Sequence, residues 1–171
     1  MNDDQHPQNP IVAMATKLRA RRDLGAAIDS AVGDAPAPRG DDAADRFIAL
    51  GDVLATGARR LGSILGSSAR DGITVVRMPN PPRIRVRFRT KRIALDLDAG
   101  RQLVLISGDG LEGEYQFVAD AGVPALVNLS KLSTDEGYRE PLTGSAILKR
   151  IAADAELPRP AHLDEPGPMR F

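Results

Sequence analysis

The spacing of apolar residues changes once along this chain. Before residue 72 they recur every three or four positions, and after it every second position. The first period belongs to helices and the second to strands.

Ile11, Met14, Leu18, Gly25, Ile28 and Val32 form a heptad-like stripe interrupted by Arg21. Lys17, Arg19, Arg22 and Asp23 fall on the outer side, so residues 11–32 are expected to be a helix. Residues 1–10 are polar and expected to be a disordered tail. GDAPAPRGDDAAD follows the stripe, and its Pro and Gly cannot extend a helix, so residues 33–44 read as a flexible linker. A linker of about a dozen residues spans tens of ångströms, so the first helix is expected to be detachable. Asp45 is the expected N-cap of a second helix over 45–68, with Phe47, Leu50, Leu54, Gly57, Leu61 and Ile64 as its seam. Gly62 and Gly66, one turn apart, would permit a close backbone approach there.

Beyond the switch, ITVVRM is a short β-branched run stopped by PNPP, since proline donates no ladder hydrogen bond. RIRVRFR, RIALDLD, QLVLIS and EYQFVA follow, separated only by TK, AGR and GDGLEG. Such gaps are too short for crossovers, so the strands must be antiparallel. The expectation is an α+β protein. N-terminal helices accompany a meander sheet of four or five antiparallel strands over 72–132, within an α+β domain over 45–157. The segment ALVNLSKL fits either a last strand or a helical turn. Thr143 caps a final helix over 143–156 that covers the sheet with Ile147, Leu148, Ile151 and Ala155, and residues 158–171 form an extended Pro-rich tail.

The row of arginines in RIRVRFRTKRIALDLD, residues 83–98, reads as one face of a hairpin. With Thr90 and Lys91 as the loop, Phe88 faces Ile93, Val86 faces Leu95 and Ile84 faces Leu97. On the other side Arg87 then meets Ala94, Arg85 meets Asp96 and Arg83 meets Asp98. Six basic residues oppose two acidic ones, and Arg87, Arg89, Lys91 and Arg92 remain unpaired at the hairpin tip. A local basic patch follows, although Lys plus Arg and Asp plus Glu are both 23 and the formal net charge is zero.

Composition narrows the chemistry further. With no cysteine, thiol nucleophiles, thiolate metal sites and disulfides are excluded. The N-terminus shows no secretory pattern and no run reaches a membrane span, so a cytoplasmic protein is expected. Abundant Ala, Arg, Asp and Gly fit a GC-rich bacterial genome. The two histidines, His6 and His162, both lie in expected tails, which leaves no histidine base in a cleft. Ser145 and Lys149 lie one turn apart, as a capping-turn serine and a solvent lysine. Asp96, Asp98, Asp109, Glu112 and Glu114 do not match a calcium-loop spacing, and GDGLEG leads into a strand, unlike a phosphate-binding loop. NLSKLS, residues 128–133, resembles the acidic-x-Ser motif of PilZ cyclic-dinucleotide receptors over six residues. Ser133 replaces that motif's closing Gly, the arginines are distant, and a helix follows where barrel strands belong, so the resemblance is set aside.

The function expected from these residues is non-catalytic binding: an adaptor acting through protein contacts or self-association, with no cofactor and no metal site. Its candidate partner- or phosphate-binding residues are Arg83, Arg85, Arg87, Arg89, Lys91 and Arg92, and its candidate docking helix presents Ile11, Met14, Leu18 and Ile28. The alternatives are nucleic-acid binding through the arginine face and a carboxylate- or metal-dependent enzyme.

Overall fold

Two long helices begin at side-chain caps. In the computed structural model, which describes residues 9–33, 42–66, 72–119, 121–130, 141–155 and 157, Asn9 accepts a 3.0 Å hydrogen bond from the Ile11 N–H. With Pro10 at its first position, α1 (Pro10–Val32) starts there. α2 (Ala43–Leu65) is capped by Asp42, whose Oδ1 accepts from the Asp45 N–H at 2.7 Å. Asp45 is thus a first-turn residue near the helix N-terminus and not the cap. Gly66, in the left-handed region at φ 60°, ends α2.

The sheet has seven strands, not four or five. In sequence order they are β1 (Thr74–Pro79), β2 (Pro82–Phe88), β3 (Lys91–Asp98), β4 (Leu103–Ser107), β5 (Gly113–Phe117), β6 (Ala125–Asn128) and β7 (Leu142–Thr143). Spatial order equals chain order and every neighbouring pair is antiparallel, so the sheet is a meander curled into a half-barrel. Two of these strands were hidden in the sequence for different reasons. ALVN is too short for its period to separate strand from helix, and β7 is a two-residue strand with no period at all. α3 (Gly144–Ile151) follows β7 directly, capped by Thr143 Oγ1, which accepts from the Ala146 N–H at 3.2 Å.

The helices cover one face of the sheet. Ile84, Val86 and Phe88 of β2, Ile93 and Leu95 of β3, Leu50, Leu54 and Leu61 of α2, and Ile147, Leu148 and Ile151 of α3 belong to one buried cluster. The C-terminal half of α1 joins it through Leu24 and Ile28, with Val32 packed against it. Asp29 then ties α1 to α3, accepting from Ser145 Oγ at 2.5 Å and Lys149 Nζ at 2.8 Å. These contacts anchor α1 at one end, in place of a helix hanging freely from a linker.

The close approach expected at Gly62 and Gly66 occurs instead at Gly57. A Cβ there would lie 2.6 Å from Leu148 Cδ1 and 2.9 Å from Val32 Cγ2, so all three helices converge on that one residue. At Gly62 and Gly66 the same atom would meet nothing within 4 Å.

Candidate binding face

Alternation in β2 and β3 sends the apolar residues to the helices and the arginines to the other face. The turn decides who faces whom. Arg89 adopts φ 53°, which makes Arg89 and Thr90 the two-residue loop and Phe88 and Lys91 its closing pair. The expected register is therefore corrected by two residues. Arg83 opposes Asp96, Arg85 opposes Ala94, Arg87 opposes Arg92, and on the core face Val86 opposes Ile93. An even shift preserves both faces while changing every partner.

Three rows of side chains cross the open face. Thr74, Arg87 and Arg92 make the first, Val76, Arg85, Ala94 and Ser107 the second, and Met78, Arg83, Asp96, Leu105 and Glu114 the third. Charge runs from basic to balanced along them. Asp96 Oδ1 receives both Arg83 Nε at 3.0 Å and Arg85 Nη1 at 3.2 Å. Asp98, expected opposite Arg83, instead accepts from the Arg101 N–H at 3.1 Å in the β3–β4 turn. Arg101 in turn makes a two-pronged contact with Glu114. Arg87 and Arg92 stand directly opposite each other with no carboxylate partner among the described residues. Like charges so placed repel.

The first two rows line an open trough of about 830 Å³, reaching from Gly72, Thr74 and Val76 past Arg85, Arg87, Arg89 and Arg92 to Ser107 and Gly108. Its far end is backbone. Gly108, at φ 100°, carries no Cβ because that atom would sit 2.1 Å from the Arg92 carbonyl oxygen.

The structure separates the six expected basic residues. Arg83, Arg85, Arg87 and Arg92 share the open face. Arg89 and Lys91 belong to a contact with the segment after α3. Arg89 Nη1 donates to the Asp154 carbonyl at 3.2 Å with its guanidinium 4.8 Å from the Phe88 ring centre, and Lys91 Nζ lies 3.4 Å from Asp154 Oδ2. Of the four basic residues expected at the hairpin tip, Arg87, Arg89 and Arg92 line the trough, Arg89 also reaching Asp154, and Lys91 is held against Asp154. Reading the sequence missed Thr74, Val76, Ala94 and Ser107, which floor the trough. Alternation within ITVVRM hinted at the first two, but only the PNPP turn brings them beside Arg87 and Arg85.

The docking stripe of α1 also divides. Ile11, Met14 and Leu18 are 75%, 65% and 59% exposed, whereas Ile28 is fully buried and belongs to the core. Of the four residues of that stripe, only the first three are open to solvent.

Other candidate chemistry is dispersed. Ser145 and Lys149 both bond Asp29, and these two hydrogen bonds hold the Asp29 carboxyl below its ordinary value. Burial raises the Tyr115 phenol above its ordinary value, and its O–H donates to the Leu111 carbonyl at 2.8 Å. Asp109 lies 3.7 Å from Arg150, and Glu114 is occupied by Arg101. Among the described residues no three metal-ligating side chains converge, and no helix is long and apolar enough to cross a membrane. His6 and His162 lie outside the described residues.

The fold and face together define an α+β protein with a curled antiparallel sheet, helices on one side and arginines on the other. No protein-family model matches the chain, and neither a curated protein nor a solved structure matches it.

Proposed function

We propose that this protein is a non-catalytic binding module, an adaptor that receives an acidic segment of a protein partner on its arginine face. The observation that carries the reading is the Arg87–Arg92 apposition, two arginines side by side on adjacent strands that line an open trough, with no carboxylate partner among the described residues. Bringing an anion between them removes a repulsion that the free protein carries. Arg83 and Arg85 share a single carboxylate, so they retain donors for a second one. Ile11, Met14 and Leu18 supply a separate apolar surface for the same class of partner.

A protein partner is favoured over a single-stranded nucleic acid by the aromatic residues. Phe47, Phe88, Tyr115 and Phe117 are all buried, so among the described residues no ring is offered to a base. Phosphate is nonetheless a good ligand for a guanidinium, which makes nucleic acid the second reading.

The test is a pair of titrations at low ionic strength, one with a labelled acidic peptide and one with single- and double-stranded DNA and RNA. Peptide binding that is lost in Arg85→Glu/Arg87→Glu supports the adaptor reading. Nucleic-acid binding alone, with a steep loss as salt rises, replaces it with the second reading.

A further inference from the structure

The sheet has an open edge beside the arginines. β1 pairs with β2 on one side only. The Arg89–Thr90 turn makes Phe88 and Lys91 a bonded pair, so alternate residues Ile84, Val86 and Phe88 turn their backbone groups to β3. Arg83, Arg85 and Arg87 therefore bond β1 through Met78, Val76 and Thr74. What remains on β1 is the outward backbone of Val75 and Arg77, and no described residue hydrogen-bonds it. Proteins blunt such edges with charged side chains, prolines or covering segments. On β1 the one proline, Pro79, stands at the last position and leaves Thr74–Met78 open. Thr74, Val76 and Met78 occupy its open face, and its one charged side chain, Arg77, is paired with Asp52 of α2.

Building on the acidic-partner reading, we infer that an extended acidic segment of the partner adds to β1 as an eighth strand, with carboxylates at alternate positions reaching Arg85 and Arg87. The pitch is what matches. Successive outward residues of a strand repeat about every 6.7 Å, so Arg83, Arg85 and Arg87 present cations at the spacing at which residues i, i+2 and i+4 of an added strand present anions. The added strand would lie about 9.6 Å from the β2 backbone. A guanidinium and a Glu side chain span that gap jointly, across the smaller Thr74 and Val76. The main chain supplies attachment and the alternate side chains supply selectivity, as in other strand additions.

The probe is a labelled, end-capped octapeptide of alternating Glu and Val, followed by fluorescence anisotropy. Two N-methylated versions are compared, one methylated on every Glu nitrogen and one on every Val nitrogen. Only one set of nitrogens can face β1 while Glu faces the arginines, so one version should bind at least tenfold more weakly and the other should match the parent. Val75→Pro, which removes an outward N–H, should likewise weaken binding at least tenfold. In the wild type, peptide should slow hydrogen exchange at the Val75 and Arg77 amides, a readout that holds even if Val75→Pro does not fold. Equal binding of both methylated versions with unchanged exchange overturns strand addition, while loss in Arg85→Glu/Arg87→Glu still upholds the acidic-partner face. No binding of any acidic peptide overturns both, as does binding of nucleic acid alone. Protection of Val75 and Arg77 in a peptide-free dimer assigns the edge to a second copy of this chain and overturns the proposal.

Discussion

The two faces of the β2–β3 hairpin are made by the same backbone and behave as opposites. On the inner face Ile84, Val86, Phe88, Ile93 and Leu95 are each 2% exposed or less. On the outer face Arg83 and Arg85 share one carboxylate, Asp96, while Arg87 and Arg92 have none among the described residues. Burial is non-directional, so the inner face tolerates a two-residue change of register without losing its character. Ion pairs at an exposed face need contact geometry and are screened beyond about 8–10 Å, so the same change redistributes every partner on the outer face. The inner face therefore holds the fold together, and the outer face contributes little to holding it.

The sharpest way to break this contrast is to empty the inner face. Phe88→Ala should cost about 3–5 kcal/mol in urea denaturation, through lost transfer energy and the cavity left behind. Filling the helix layer above that face is the next largest change. Gly57→Val, which drives a side chain into Leu148 and Val32, should cost about 1–3 kcal/mol or more by the same measurement. On the outer face the effects should be small and of mixed sign. Asp96→Asn removes the shared partner of Arg83 and Arg85, and at this exposed site should cost about 0.2–1 kcal/mol, less at high salt. Arg92→Thr relieves the repulsion with Arg87 and places a β-branched residue in the strand. It should raise stability by a few tenths of a kcal/mol, while weakening acidic-peptide binding.

The smallest effect lies away from the sheet, where Asp29 holds α1 to α3. Its folded-state pKa is lowered, chiefly by the hydrogen bond from Lys149. Its contribution is thus present above the ordinary value of 3.8 and is lost as pH falls through the lower folded value. Asp29→Asn should flatten the dependence of thermal stability on pH below about 4, by a small amount because the site is largely exposed.

Some of this was legible because it depends on local periodicity alone. The change from helical to alternating spacing located the helices and the antiparallel strands, and the parity of RIRVRFR separated apolar from basic positions correctly. Thr143 was readable as a cap because an Oγ three residues before an N–H needs only local geometry. Other features needed residues far apart in sequence. Ile11, Met14, Leu18 and Ile28 follow one heptad-like spacing, yet only Ile28 lies where α2 and α3 can cover it. Gly57 and Gly62 look alike in a helical segment until Leu148 and Val32 arrive beside the first.

By itself, then, the sequence determined the class of secondary structure, the antiparallel connection of the strands and which side chains share a face. Each of these follows from the fixed periods of helix and strand and from gaps too short to cross over. Tertiary structure alone decided that Arg87 faces Arg92, that Arg89 and Lys91 turn to Asp154, and that β1 is left as an open edge beside the arginines. Those outcomes rest on one turn residue at positive φ and on contacts between elements distant in the chain, and neither leaves a periodic trace in the order of amino acids.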